Sequence, residues 1–526
     1  MTRLVGCVIE RNPTTVRCVT ELATAAPAAG NPRGRTIFLL TSLGSFMATL
    51  DLSIVNIAFP TMERSFPHDH ASTLAWVITG YSIVFGALLV IAGRTADRVG
   101  ARRVFFAGLL VFCAGSALCG LAPSVGFLIG GRIVQGAGGA AILPPSLGLL
   151  LAAYPASARV RIVALWAGIS ALAVATGPSI GAVLITAWGW RAVFYVNLPI
   201  GLLTWLLGRR AIPSPAGDSQ RPHPDYGGAV LLAGSLALLV LAISQGGSWG
   251  WMSARVIGSV AGALVLGVVF LYRSARHHEP VLDLTLFRSR QFTLANSATF
   301  VYGMGFFAML LGNILFLTGV WHFSTLRAGL LVTPGPIVVA LVSGQAGKLA
   351  ARIGFRPVLL VGFAFFTAGL LWYRIRVGLH PDYLADMLPG QLIAGLGIGL
   401  TFPVLGAAAV STLPVSRFSV GSAVGQTARQ IGGAIGIAIL VVLLGTPHSA
   451  AAALAGFDRM WTYAAITAVA AALVSCMLAR QPAAAPGTAG AQAGAAEAGP
   501  VATDPAGAGE QGQPDATGRP DAVQVQ

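Results

Sequence analysis

Two charged residues stand where charge is costly. The stretch TIFLLTSLGSFMATLDLSIVNIAFP, residues 36–60, is apolar over the length of a membrane crossing and is interrupted once, by Asp51. A helix rising ~1.5 Å per residue puts that carboxylate inside the hydrocarbon, where its ionised form costs at least ~2.5 kcal/mol. The second is Arg132, in LIGGRIVQGAGGAA, residues 128–141. Counted from the outer ends of their helices, Asp51 lies about nine residues deep, ~13 Å, and Arg132 about seven, ~10 Å. At that shared depth a carboxylate and a guanidinium lower each other's desolvation cost, so the two are natural partners. Burial favours the neutral form of a carboxylate and a neighbouring guanidinium the ionised form, so a rearrangement of Asp51 relative to Arg132 switches its hold on a proton.

Other chemistry is weakly represented. Gly136, Gly138 and Ala141 fit a GxGxxA spacing, but no strand precedes them and no ribose-binding acid follows, so a dinucleotide site is rejected in favour of close helix contact. Cys7, Cys18, Cys113, Cys119 and Cys476 form no CxxC pair, and His68-Asp69-His70 is too short a cluster for a metal site. No catalytic triad, phosphate loop or metal-ligand spacing supports an enzyme.

The elements that must position Asp51 and Arg132 follow from composition. With 526 residues, 55% hydrophobic, 10% charged and a mean hydropathy of +0.76, the chain is a polytopic all-α membrane protein. Fourteen spans are read near 36–59, 73–93, 104–122, 125–150, 160–185, 190–208, 226–246, 255–272, 292–318, 328–347, 357–375, 387–410, 419–444 and 460–479. With the N-terminus inside, inward segments collect eighteen basic residues, among them Arg94, Arg98, Arg102, Arg103, Arg159, Arg161, Arg221, Arg417 and Arg480, against seven outside. That asymmetry places both termini in the cytoplasm and explains most of the +15 net charge as topology, which makes nucleic acid an unlikely partner. The first apolar run is too long for a signal peptide.

GRTADRVGAR, residues 93–102, recurs as GKLAARIGFR, residues 347–356. The repeat divides the chain into two six-helix bundles, 36–208 and 291–480, joined by 209–290 with two extra helices. Residues 1–35 and 481–526 read as disordered cytoplasmic ends. In the first copy Gly93 and Gly100 allow a sharp turn, while Asp97 can cap a helix N-terminus or pair with an arginine; Arg98 and Arg102 follow the positive-inside rule. The second copy has Ala351 in place of Asp97. The fifth span carries Gly177, Pro178 and Gly181 in ALAVATGPSIGAVL, a kink between small residues suited to close packing.

LDLSIVNIAFP, GRTADRVGARR, RIVQGAGGAA, TGPSIGA and WGWRAVFYVNLPIG occur in that order. Together they resemble the fourteen-helix drug:proton antiporters of the major facilitator superfamily, the EmrB/QacA-like exporters, over residues 36–480. TGPSIGA resembles the antiporter motif, with Gly181-Ala182 where that motif ends in Gly-Gly. GRTADRVGARR resembles the loop signature that latches the two halves; Gly93, Asp97, Arg98, Gly100 and Arg102, with Gly177, Pro178 and Gly181, are then gating residues. The resemblance implies alternating access, in which a central cavity loads a hydrophobic, often cationic compound and releases it against a proton, in the bacterial cytoplasmic membrane. Asp51 is then the coupling acid and Arg132 its modulator. The protein would be a monomer needing no cofactor beyond the proton gradient.

Two further readings complete the sequence. Trp76, Tyr81, Trp166, Tyr302, Phe306 and Phe307 are candidate cavity aromatics, by stacking or cation–π contact. Arg429, in the thirteenth span, either meets an anionic or zwitterionic substrate or caps carbonyls of its glycine-rich helix. A symporter or an exporter of one metabolite is the alternative function on the same fold.

Overall fold

The computed structural model describes residues 32–154, 156–213, 220, 222–413 and 418–479. The two expected disordered ends therefore lie almost wholly outside the described residues, as do Arg221, Arg417 and Arg480 and the side chains of Arg159 and Arg161. Among the described residues, thirteen helices are long and apolar enough to cross a membrane, and a bent pair makes a fourteenth. The fold is all-helical and multi-pass, as expected.

The spans are α1 (Gly34–Ser65), α2 (Ala71–Val99), α3 (Ala101–Gly120), α4 (Val125–Ala153), α5 (Ala156–Trp188), α6 (Ala192–Ala211), α7 (Tyr226–Trp249) and α8 (Ala254–Arg276). They continue as α9 (Arg290–Gly319), α10 (Thr325–Ile353), α11 (Phe355–Arg376), α12 (Tyr383–Val410), α13 (Val420–Leu444) and α14 (Ala450–Cys476). The last begins ten residues before its expected start, because Ser449 caps it through the Ala452 amide and an alanine run is strongly helical. Span α5 bends by 43° between Gly168–Val174 and Thr176–Trp188. Pro178 explains the bend: it has no amide proton for the carbonyl four residues back, and its ring crowds that carbonyl.

The 254-residue repeat extends beyond its motif. Gly100 (φ 107°) ends α2 and Gly354 (φ 89°) ends α10. Both adopt a backbone that residues with a Cβ resist, so each makes the reversal into the next span. Gly108 and Gly115 let α3 lie against α4, and Gly362 and Gly369, each 254 residues later, do the same for α11 and α12. A methyl on Gly115 would come 2.5 Å from the Gln135 amide nitrogen, and one on Gly369 2.6 Å from the Gly390 carbonyl oxygen. The sharp turn expected at Gly93 is not there. Gly93 is helical, because nothing breaks the backbone ladder of α2 before Gly100, whose amide still donates to the Ala96 carbonyl at 2.9 Å. Asp97 lies in the last turn of α2, so it does not cap a helix N-terminus.

The halves meet along two seams. Thr427 Oγ1 of α13 donates to the Gly86 carbonyl of α2 at 2.8 Å. At the end of the bundle away from Gly100, Ser179 of α5 bonds Thr333 of α10, and Thr61 of α1 lies 3.5 Å from Thr325. Gly329 there abuts the Pro178 carbonyl and Ala182. The alanine that replaces the motif's last glycine is accommodated because its neighbour across the seam is itself a glycine.

Spans α7 and α8 pack on one another and, through α7, against α2 and α13. Their polar ends hold the Gly100 end of α2. Arg94 forms an ion pair with Glu279 at 2.6 Å, Thr95 Oγ1 lies 3.0 Å from Tyr226 Oη, and Arg98 Nη1 lies 2.8 Å from His223 Nδ1. Asp225 is fully buried, caps α7 through the Gly228 amide at 2.8 Å, and accepts from Arg273 Nε at 2.5 Å. Asp225→Ala is expected to lower stability by about 1 to 3 kcal/mol, from the lost cap and the unpaired groups left behind. Thermal melting of the purified protein checks this; an unchanged melting temperature would show that the clasp adds nothing.

Candidate functional site

Asp51 is fully buried on α1 and Arg132 is 1% exposed on α4, and the structure brings them together. Arg132 Nη1 donates to Asp51 Oδ2 at 2.5 Å and to Gln135 Oε1 at 2.6 Å, while its Nε donates to the Val77 carbonyl at 2.9 Å. The other carboxylate oxygen, Oδ1, accepts from Gln135 Nε2 at 2.8 Å and from Asn197 Nδ2 at 3.2 Å. Both amides also donate to Ser116 Oγ, at 2.6 and 3.0 Å. The guanidinium carbon sits 4.0 Å from the centre of the Tyr81 ring and 5.8 Å from that of Phe194.

Five helices therefore converge on one ion pair: α1 supplies the acid, α4 the cation and Gln135, α3 Ser116, α6 Asn197 and Phe194, and α2 Tyr81 and the Val77 carbonyl. A buried pair is tolerable only when its donors and acceptors find partners; here both carboxylate oxygens accept and Arg132 Nε and Nη1 donate, while Asn197 Oδ1 and the Tyr81 hydroxyl beside the pair are buried without a partner. Chemically the site is one carboxylate, Asp51, held between a guanidinium and two neutral amide donors. Moving α1 relative to α4 alters that balance.

Gln135, Ser116 and Asn197 were not anticipated. Gln135 had a signal, since it stands three residues after Arg132 and so shares its helix face. Asn197 lies within FYVNLPIG, whose apolar neighbours gave no reason to single it out.

The close approach of α1 to α5 depends on the glycines of TGPSIGA. A methyl on Gly177 would fall on Ser53 Oγ, and one on Gly181 would come 2.6 Å from Ile54 Cγ1 and 2.7 Å from Ile57 Cγ2. These residues follow Asp51 on α1, so the motif seats the helix that carries the acid. Gly177→Val is expected to cost about 1 to 3 kcal/mol by overpacking and to displace Asp51. Transport and melting measured together test this: wild-type flux in the variant would separate the glycine from the acid.

The gating and cavity candidates scatter. Arg102 Nη2 donates to the Arg209 carbonyl at 2.5 Å and its guanidinium lies 5.6 Å from the Phe106 ring. Tyr81 is fully buried beneath Arg132, so it belongs to the charge cluster and lines no cavity. Tyr302 is also fully buried, its ring packed on Phe363, Phe366 and Phe402, because an aromatic with three aromatic neighbours gains most by close packing. Trp166 is half-buried and donates to Ser45 Oγ at 3.0 Å; Trp76 packs near Ile83, and Phe306 is half-buried between Phe307 and Phe402. His68, Asp69 and His70 are exposed, and the described residues contain no group of three metal-binding side chains.

The Major Facilitator Superfamily profile matches residues 41–436. The chain belongs to that superfamily. It is 34% identical over 403 residues to the "Multidrug resistance protein Stp" of Mycobacterium tuberculosis, spanning 76% of this chain and 74% of that one. It is 31% identical over 435 residues to the "Methylenomycin A resistance protein" of Streptomyces coelicolor, spanning 82% and 90%. A solved bacterial homologue of the human drug peptide transporters shares the fold, with a TM-score of 0.58 at 15% identity over 84% of this chain and 97% of its own. The superfamily membership read from the ordered motifs holds. In this superfamily member, the acid of the first span and the arginine of the fourth form one buried cluster.

Proposed function

We propose that this chain exports hydrophobic drugs or antibiotics across the bacterial cytoplasmic membrane by alternating access, driven by proton uptake at Asp51. It acts as a monomer with no cofactor, and both termini face the cytoplasm. The observation that carries the reading is the fully buried Asp51 carboxylate bound to Arg132 inside membrane-spanning helices. A structural role alone would be met more cheaply by apolar side chains, whereas a proton-driven cycle needs an acid that exchanges with water on alternate faces. Orientation is supported by the arginine-rich connections, and the direction of transport by relatives named for resistance.

Protonation removes the negative half of the pair. Arg132 then keeps the Val77 carbonyl, Gln135 Oε1 and the Tyr81 face, so α4 stays solvated while its tie to α1 loosens. α1, seated on Gly177 and Gly181, is then free to rearrange across the seam with the second half. The test is a susceptibility panel on a strain expressing the protein, with and without a protonophore. Resistance that disappears with the protonophore supports the reading. Accumulation of substrate by energised intact cells would instead favour a symporter on the same fold.

A further inference from the structure

The second membrane arginine is only partly buried and, unlike the first, has no carboxylate partner among the described residues. Arg429 sits where α13, α9 and α12 meet, with its backbone against Gly303 and its guanidinium carbon 5.4 Å from the centre of the Phe402 ring. Its Nε is buried without a hydrogen-bond partner, and among the described residues no carboxylate pairs with it. Arg132, by contrast, has an acid, an amide, a carbonyl and two rings.

The glycines beside Arg429 do not serve as its carbonyl acceptors. Gly432 and Gly436 bring α13 close to α9, where added methyls would strike the Phe300 and Met304 carbonyl oxygens, and no hydrogen bond from Arg429 reaches a backbone carbonyl. Arg429, Phe402 and Phe306 each keep part of their surface open, while Tyr302 closes the cluster behind them with ring centres 4.8 Å from Phe402 and 6.5 Å from Phe306. Hydrocarbon is a poor environment for an uncompensated guanidinium, which argues that its open side faces the bundle interior.

We propose that Arg429, with Phe402 and Phe306, binds the anionic group of an aromatic substrate, a carboxylate or phenolate whose ring stacks on these phenylalanines. A guanidinium pairs with such a group in a forked, charge-assisted contact, and the phenylalanine faces accept a planar ring. The proposal rests on the export reading, and within it makes the substrate acidic instead of cationic.

The test uses the full chain in lipid nanodiscs with fluorescein, an anion, and a cationic rhodamine ester of the same xanthene core, each titrated by fluorescence anisotropy. Fluorescein is expected to bind the wild type more tightly than the rhodamine. Arg429→Gln is expected to weaken fluorescein about tenfold or more and to leave the rhodamine unchanged or tighter, with Arg429→Lys intermediate. Phe402→Leu keeps the charge, is expected to weaken both dyes by a few-fold through lost stacking, and serves if Arg429→Gln does not fold. Fluorescein binding the wild type no better than the rhodamine, or equally well to wild type and Arg429→Gln, overturns the proposal. Binding is read without a gradient: a protein that binds fluorescein but extrudes nothing sinks the export reading alone, and one that extrudes only the rhodamine sinks the anion site alone.

Discussion

Asp51→Asn is expected to reduce gradient-driven export to the background of vesicles lacking the protein, while the variant still folds and reaches the membrane. The asparagine carbonyl oxygen replaces the carboxylate oxygen that accepts from Gln135 and Asn197; its NH2 group faces Arg132 Nη1 and cannot accept from it, so that bond is lost, while Arg132 keeps Gln135 Oε1, the Val77 carbonyl and the Tyr81 face. Removing one member of a buried pair costs up to about 3 to 5 kcal/mol when the other is left bare. These residual partners should hold the loss toward the lower end. What asparagine cannot do is exchange a proton, so the coupled step is lost while binding survives. In everted vesicles the measurement is substrate uptake on energisation, beside substrate counterflow with no gradient. Uptake should vanish and counterflow persist. Normal energised uptake in Asp51→Asn would remove the physical basis of coupling through this residue.

That pair was legible because cost and depth are both readable from a sequence. An acid and an arginine in apolar runs are each rare, and counting residues from the helix ends put them level. The polar shell was less legible. Gln135 alone carried a signal, its spacing from Arg132; Ser116 and Asn197 are small or neutral, and only contacts made in the fold distinguish them, Asn197 donating to the carboxylate and Ser116 accepting from both amides. Tyr81 shows the same limit: its residue type suggested a cavity, whereas its direction, fixed by how α2 rolls against α4, places it under the Arg132 guanidinium. Gly93 was misread because glycine permits a turn without requiring one, and the intact backbone ladder of α2 decided against it. His223, Asp225 and Glu279 carry no sequence pattern that singles them out; the structure ties them to the Gly100 end of α2 and to α8, contacts between segments far apart in sequence that local pattern does not encode.

Arg132→Gln is expected to be the most damaging single change, lowering stability by about 3 to 5 kcal/mol. Asp51 would keep only the neutral donors Gln135 and Asn197, the Val77 carbonyl would lose its donor, and the Tyr81 face its cation. An ionised carboxylate with no counter-charge is untenable in that setting, so the variant's cheapest escape is to hold a proton throughout the cycle, which also stops coupling. The double variant Asp51→Asn/Arg132→Gln separates the two effects. It removes both charges and leaves neutral amides of similar size, an exchange that is often close to neutral for a buried ion pair. Its melting temperature should therefore recover well above that of Arg132→Gln alone, a coupling of about 1 to 3 kcal/mol in a double-mutant cycle. Export should stay absent, since no acid is left to carry the proton. Stability losses that merely add would mean the two side chains do not depend on each other, and export restored by the neutral pair would move the proton site elsewhere in the bundle.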